Sequence, residues 1–201
     1  CNEDYVLHAK YHEWEKLFDY FVNEPKAMGT AATKYVGKKL LKYNPKRKIR
    51  IRFSLMPQFL SDLLEPGTPK IMDRVRAINE YYDAGYDVHI NYSPIVMFKG
   101  FKQSYEMLFE MIDKLVDNEI KQNVKAECIF LIHNKVLHAH NVENEIQGEE
   151  YLWQPGIQEN KLSEYGGENV RYDRHLKKGY IKKFLKLHKK TLPWQNVRYI
   201  F

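Results

Sequence analysis

The stretch Lys48-Ile-Arg-Ile-Arg-Phe-Ser-Leu55 decides the fold. Its residues alternate strictly between polar and apolar, which is typical of a β-strand with one face in the core. A second alternating stretch, Asp87-Val-His-Ile-Asn-Tyr-Ser93, follows a segment whose apolar residues recur at helical spacing. A strand, a helix and a strand in this order predict a βαβ unit, in which the two strands run parallel.

Both predicted strands have one wholly polar face, and this face carries candidate functional residues. Since parallel sheets are covered on both sides, such a face is not simply turned to bulk water. A partial or closed barrel resolves this, because outer helices cover the apolar side and the polar side lines an interior site. An antiparallel sheet with one wet side, the alternative, needs a short hairpin where this sequence has a helix. The residues predicted to point inward are Lys48, Arg50, Arg52, Ser54, His89, Asn91 and Ser93.

The same helix and strand alternation continues on both sides of the βαβ unit. Short strands are predicted at 31–36 and 127–132, and apolar residues at helical spacing predict a helix over 101–116 between them. The fold class is therefore α/β, with parallel strands and outer helices.

Beyond the last of these strands the composition changes. Residues 136–170 are polar and rich in glycine, which predicts a long loop region. Residues 171–201 predict a basic C-terminal helix followed by a terminal strand. The chain is therefore expected to consist of a barrel part at 1–135, the loop region, and this C-terminal part.

Charge is distributed unevenly along the chain. The formal net charge is +6, yet residues 34–52 alone carry +9 and residues 171–190 carry +8, so the remainder carries −11. Clustered Lys and Arg neutralise phosphates, which favours DNA or another nucleic acid as a partner. Solvated faces of amphipathic helices are the alternative explanation for such runs.

Composition also excludes several protein classes. The longest apolar run, Cys128 to Ile132, has five residues, whereas a membrane span needs about 20. No N-terminal secretion signal is present, and two cysteines cannot form a disulfide framework. We therefore expect a cytoplasmic protein with no membrane segment.

Taken in order, several segments resemble spore photoproduct lyase and its relatives in the radical S-adenosylmethionine (AdoMet) superfamily. The resemblance extends from Cys1 to about Leu131 and is looser beyond, where Arg171-Tyr172 and the closing residues 197–201 are similar to the end of the family's sequences. The segments that carry it are Arg50-Ile-Arg-Phe-Ser54, Glu65-Pro-Gly-Thr68, Ala84-Gly-Tyr86, Ser93-Pro-Ile95 and the helix around Tyr105 to Phe109.

The resemblance implies a partial (β/α) barrel of the radical AdoMet type and an activity on DNA or a related nucleic acid. In the family, a thymine dimer is repaired by abstraction and return of a hydrogen atom. Cys1 matches the cysteine that returns this atom, and Lys34, Ser54 and Ser93 match positions that bind or line AdoMet. Glu3 departs from the small hydroxyl residue of the family. The residues expected to bind substrate are Arg50, Arg52, His89, Asn91, Arg171 and Arg174.

An iron–sulfur cluster is the cofactor that this sequence does not account for. The family's chemistry needs a [4Fe–4S] cluster on a Cys-x3-Cys-x2-Cys loop, and no such spacing occurs here. We therefore expect the cluster, and the first half of the barrel, to come from a preceding segment or a separate chain. The chain is then the C-terminal part of the enzyme. A non-catalytic nucleic-acid-binding module is the alternative, and a cluster motif encoded just upstream would decide for the enzyme.

Some candidate residues also have ordinary structural explanations. Cys1 is also explained as a residue that merely lies at the terminus, and Lys34 as a solvated lysine at the end of a strand. His89 is either a proton donor or substrate contact, or a hydrogen-bonded structural histidine.

Metal ligands were sought among the histidines of the loop region. His138 and His140, with Glu143 nearby, do not form a firm ligand set, and the sequence predicts no protein-bound metal ion.

Overall fold

A computed structural model describes residues 4–162 and 166–201 of the chain. Short 3₁₀ helices occupy Lys39–Lys42 and Lys121–Asn123. The strands are β1 (Gly29–Thr33), β2 (Ile49–Ser54), β3 (Asp87–Ile95), β4 (Lys125–Phe130), β5 (Ile132–Asn134), β6 (Gln158–Leu162), β7 (Glu168–Tyr172) and β8 (Val197–Ile200). The helices are α1 (Trp14–Asn23), α2 (Gln58–Leu64), α3 (Ile71–Asp83), α4 (Phe101–Leu115), α5 (Lys135–Glu143), α6 (Glu149–Leu152) and α7 (Arg174–Thr191).

Five strands form one parallel sheet in the order β1-β2-β3-β4-β8. This confirms the predicted α/β class, with parallel strands in chain order and a terminal strand at the edge. The first strand begins at Gly29, two residues before the predicted start. In register, Arg52 lies opposite His89 and Ser54 opposite Asn91, so the polar residues of β2 and β3 share one face.

The opposite face of the sheet is apolar and packs against helices. Ile51, Phe53 and Ile90 are fully buried there, and α3 contacts both strands that it connects. Helix α7 packs on α4, and four aromatic rings meet between them and β3. In this cluster the ring centroid of Phe184 lies 5.5 Å from that of Phe109, and the two ring planes are nearly perpendicular. No helix within 4–162 or 166–201 is long and apolar enough to cross a membrane.

The turn between α3 and β3 depends on Gly85. Its φ of +96° lies in the left-handed region, and a Cβ at this position would meet the Asn44 Oδ1 atom at 2.0 Å. Its carbonyl accepts a 2.7 Å hydrogen bond from the Arg47 backbone N–H. The turn therefore requires glycine, and it fixes where β3 starts with Asp87.

The segment expected to be a long loop, 136–170, is instead largely helix and strand. It contains most of α5, all of α6 and β6, and the start of β7, and the small sheet has the antiparallel order β5-β7-β6. Apolar periodicity is absent from this stretch because polar groups share the interior: Asn141 and Glu149 are buried, as is the neighbouring His133. Backbone pairing between strands, which leaves no mark in the composition, holds the small sheet together.

Candidate functional site

A cavity of about 440 Å³ opens at the carboxyl ends of β1 and β2. This edge of a parallel sheet is where ligands of α/β proteins usually bind. The cavity brings together two predicted cofactor residues, Lys34 and Ser54. Its other lining residues are Asp4, Leu7, Ala32, Thr33, Tyr35, Gly67, Thr68 and Pro69.

Lys34 is held in the cavity wall through a chain of charges. Its Nζ lies 3.3 Å from the Glu65 Oε1 atom, and the other oxygen of Glu65 accepts a 2.9 Å hydrogen bond from Arg74 Nη1. Arg74 is fully buried, whereas the Lys34 side chain is 46% exposed. Glu65 therefore holds the Lys34 ammonium group in place, and the exposed part of that group is still available to a ligand.

Arg74 also fixes the shape of the cavity. Its guanidinium donates to the Ser54 carbonyl at 3.0 Å, to the Ser61 hydroxyl at 3.0 Å and to the Thr68 hydroxyl at 2.5 Å. Thr68 belongs to the Glu65-Pro-Gly-Thr68 turn, and Ser54 is the last residue of β2. One side chain thus ties the turn to the strand end, and the cavity lies between them.

The polar face of the sheet continues from this cavity across the other strands. Arg50 donates from Nε to Asp87 Oδ2 at 2.7 Å. Burial by itself would raise the pKa of Asp87, but hydrogen bonds from His89 and Arg50 outweigh it and lower that pKa. Asp87 is consequently ionised at neutral pH, and this face carries charge.

Glu127 on β4 is the centre of this face. It is almost completely buried, and it lies 3.3 Å from His89 Nδ1, 3.2 Å from Arg52 Nη1 and 2.6 Å from Arg198 Nη1. The Tyr199 hydroxyl also donates to it. Burial opposes ionisation, yet the hydrogen bonds from His89, Tyr199 and Arg52 lower the pKa of Glu127 to about 2.

Besides the His89 Nε2 atom, which lies 3.3 Å from Asp87 Oδ1, two buried polar atoms on this face have no hydrogen-bond partner among the described residues. They are the Oδ1 atom of Asn91 and the Nε atom of Arg52. Asn91 is 6% exposed, and an unpaired buried carbonyl oxygen costs free energy, so it favours a partner. Because Asn91 is the register partner of Ser54, this free acceptor lies beside the strand residue that lines the cavity.

Two of the predicted site residues, His89 and Ser93, do not line the cavity. His89 is fully buried between Asp87 and Glu127, which matches the structural alternative left open by the sequence. Ser93 is half-buried on β3, two residues beyond Asn91, and is absent from the lining of the cavity.

Lys48 was expected on the polar face, and this expectation is wrong. Its Nζ donates to the backbone carbonyls of Pro25 and Ala27, at 2.9 Å each. Lys48 directly precedes β2, at the amino-terminal edge of the sheet, where the backbone carbonyls of the segment before β1 are within reach of its side chain.

The C-terminal candidates differ from one another. Arg171 lies on β7, and its Nε donates to Glu159 Oε1 at 2.8 Å, so part of its charge is already neutralised. Arg174 is exposed at the first turn of α7. Cys1 and Glu3 lie outside the described residues.

Sequence reasoning missed Arg74 and Glu127, although both had a signal. Arg74 lies on the apolar stripe of α3, three residues after Ile71 and four before Ile78, where a charged residue needs a buried partner. Glu127 alternates with Ala126 and Cys128 of β4, and this places it on the polar face of the sheet.

The residues of the cavity suit AdoMet. The ammonium of Lys34 matches a carboxylate, and the Ser54 hydroxyl offers a donor and an acceptor. The free oxygen of Asn91, which lies beside Ser54 but outside the cavity lining, matches an amino group. The volume also lies within the usual range for small-molecule sites.

The residues present do not suit an iron–sulfur cluster. Such a cluster needs several thiolates, and the sequence has two cysteines. Cys128 is fully buried on β4, and burial raises the pKa of its thiol to about 12. A thiol of this kind is not a ligand at neutral pH.

Comparison with known proteins agrees with this architecture. The family model for spore photoproduct lyase matches residues 1–201, which is the whole chain. The chain belongs to the spore photoproduct lyase family. Over 82 residues it is 29% identical to the spore photoproduct lyase of Bacillus subtilis (strain 168), an alignment that covers 41% of this chain and 24% of that protein.

Solved structures show the same fold. A spore photoproduct lyase double mutant with bound AdoMet and dinucleoside spore photoproduct gives a TM-score of 0.88 at 20% identity, over 98% of this chain and 58% of that one. A spore photoproduct lyase complexed with dinucleoside spore photoproduct gives 0.82 at 20% identity, over 100% and 59%. The chain therefore spans somewhat over half the length of these relatives.

The role of Arg74 as the anchor of the cavity predicts a large loss of stability on its removal. Arg74→Ala leaves Glu65 as a buried charge without its main partner, so the free energy of unfolding should fall by about 3–5 kcal/mol. Chemical denaturation measures this. Arg76→Ala, on the exposed side of the same helix, is the matched control and should change it by less than about 0.5 kcal/mol. Equal losses in the two variants would contradict the role of Arg74.

The low pKa of Glu127 predicts a pH dependence of stability. The ionised form stabilises the fold above about pH 4.5, the ordinary value for Glu, and this contribution of about 3 kcal/mol is lost as the pH falls toward 2. Glu127→Gln has no such proton to gain, so its stability should fall less between pH 4.5 and 2. Denaturation at several pH values measures the difference. The exposed control Glu119→Gln should follow the parent chain, and a parent-like slope in Glu127→Gln would refute the assignment.

Proposed function

We propose that this chain provides the AdoMet pocket and part of the DNA surface of a spore photoproduct lyase-like enzyme, which repairs the thymine lesion by abstraction and return of a hydrogen atom. The observation that carries the proposal is the cavity at the strand ends, where Lys34 and Ser54 meet beside the free acceptor of Asn91. Membership of the family and the fold of relatives with bound AdoMet support it.

In this proposal the chain's own residues bind and orient the cofactor. Lys34, anchored by Glu65, pairs with the carboxylate of AdoMet, while Ser54 and the Asn91 carbonyl hold its amino group. Ser93 of β3 is outside the cavity lining, so its place beside the cofactor rests on the family resemblance. When bound, AdoMet supplies the hydrogen-abstracting chemistry of the family.

The substrate lies on the polar face of the sheet. Arg50 and Arg52 are partly exposed there, and Asp87 and Glu127 hold them in place, so their charge can meet a phosphate without a large cost in side-chain entropy. The buried His89 side chain contacts the Glu127 carboxylate and holds it in position. Cys1 returns the hydrogen atom, as its place in the family implies.

The iron–sulfur cluster is proposed to come from a Cys-x3-Cys-x2-Cys loop outside this chain, since the residues present do not hold one. The remaining part of the barrel, on the same or a separate chain, would cover the polar face and exclude water from it. The relatives, which are longer than this chain, support that arrangement.

A nucleic-acid-binding module without catalysis is the second candidate. The exposed basic residues of α7 favour it as much as they favour the enzyme, because charge alone provides DNA affinity. AdoMet binding separates the two, since a module that has lost its chemistry has no use for the cofactor.

The first test is AdoMet binding by the chain itself, followed by isothermal titration calorimetry. Lys34→Ala should weaken binding about tenfold or more, because a hydrogen bond to a charged group contributes about 1.5–3 kcal/mol. Lys38→Ala is the matched control: this lysine is exposed, lies four residues later and is not part of the cavity wall. Absence of AdoMet binding, or equal effects of both variants, would argue against the enzyme and for the binding module.

The second test concerns the DNA surface at the start of α7. Arg174→Ala with Lys178→Ala removes two exposed charges, so duplex DNA affinity should fall and the slope of log affinity against log salt should flatten by roughly 2. Fluorescence anisotropy at several salt concentrations measures both quantities. The control pair Lys114→Ala and Lys125→Ala removes the same charge at the opposite, amino-terminal edge of the sheet. If the two pairs behave alike, α7 is not a specific contact.

A further inference from the structure

A second cluster of ligand-type side chains lies outside the cavity and the polar face. His133 of β5, His138 of α5 and Glu149 of α6 converge, and one ligand atom from each lies within 4.8 Å of the others. These residues are 5 and 11 positions apart in sequence, so the convergence is produced by the fold of the segment that was expected to be a loop.

Both histidines of the cluster contact the same oxygen atom of Glu149. Glu149 Oε1 lies 2.9 Å from His133 Nε2 and 2.5 Å from His138 Nδ1. The second oxygen, Oε2, accepts a 2.6 Å hydrogen bond from the Asn141 amide. The carboxylate is therefore oriented by a neighbour that is not itself one of the three converging groups, as is usual for ligands of metal sites.

Ring stacking and burial of the two histidines also favour a ligand site here. The imidazole of His138 is stacked on the Trp153 indole, with centroids 3.9 Å apart and planes 4° apart, which fixes the direction of its nitrogen. His133 is 4% exposed, whereas the His138 side chain is 24% exposed. The cluster is thus buried on one side and reachable from solvent on the other.

We propose that His133, His138 and Glu149 bind a divalent transition-metal ion, with one coordination position open to solvent. Two imidazoles and one carboxylate are a donor set that zinc uses in proteins, and iron(II) uses the same set. In the metal-free form, hydrogen bonds hold the three groups together. A tetrahedral ion needs ligand atoms about 3.4 Å apart, so the Glu149 oxygen would move about 0.5–0.9 Å away from each histidine nitrogen, a small movement of side chains.

A bound ion would stabilise this part of the fold. The three residues come from β5, α5 and α6, so an ion would cross-link three elements whose interior includes buried polar groups beside Val170 and Tyr172. A metal would add stability to that provided by apolar packing.

The sequence had suggested a different group, His138 with His140 and Glu143, and had assigned it no metal. The structure separates these residues: His140 is exposed and interacts with Asn144 through its Nδ1 atom. His140 is therefore a matched control, since it is a histidine on the same helix but outside the cluster.

The test is titration of the chelator-treated chain, without a histidine tag, with Zn²⁺ against a chromophoric chelator. A Cys1→Ser background keeps this thiol from binding the ion. We expect one ion per chain, an affinity that falls in acid because protons compete for the ligands, and a rise in melting temperature with zinc. His138→Ala should weaken binding roughly 100-fold, and His140→Ala should leave it unchanged.

Glu149→Gln provides an independent variant, because it keeps the size of the side chain and a carbonyl acceptor. It should weaken binding by at least tenfold even where His133→Ala fails to fold. Absence of stoichiometric binding, or equal losses in the His138 and His140 variants, would overturn the proposal and leave a hydrogen-bonded imidazole–carboxylate cluster. AdoMet affinity should be unchanged in His138→Ala, so the result is separate from the proposed function.

Discussion

The buried guanidinium of Arg74 is the interaction on which the candidate site depends. It binds the end of β2 through the Ser54 carbonyl, and the following turn through Glu65 and Thr68. Glu65 in turn holds Lys34 at the end of β1. A planar group with five donors can join three separate pieces of chain at once, which an ammonium on a flexible stem does less well. The cavity is therefore preorganised before any ligand arrives.

The polar face of the sheet is likewise organised by one buried charged group. Glu127 gathers His89, two arginines and a tyrosine around one buried carboxylate, so that each positive group has a fixed direction. Buried charges of this kind are costly unless they are fully paired, and here the Arg52 Nε and Asn91 Oδ1 atoms are among those still without a hydrogen bond. A face that is rigid, charged and incompletely satisfied is suited to a ligand or to a further layer of protein.

The segment after β4 shows a different way to stabilise a small piece of structure. Its strands are short, and its interior contains the polar His133, Asn141 and Glu149 beside the apolar Val170 and Tyr172. Asn134 caps α5 by accepting from two backbone N–H groups, and this starts the helix without an apolar stripe. Hydrogen bonds, and in our proposal a metal ion, supplement the apolar contacts of this segment.

The sequence by itself determined the parallel α/β sheet, because strict alternation in β2 and β3 and the helical spacing between them permit few other arrangements. The family resemblance pointed to Lys34 and Ser54 as cofactor residues, and the fold brings these two to one cavity. Only the tertiary structure decided the partners of Arg74 and Glu127, since their contacts join residues far apart in the chain, such as Arg52 and Glu127. The fold of 136–170 was likewise a tertiary outcome, because backbone pairing and buried polar contacts leave no periodic pattern in a sequence.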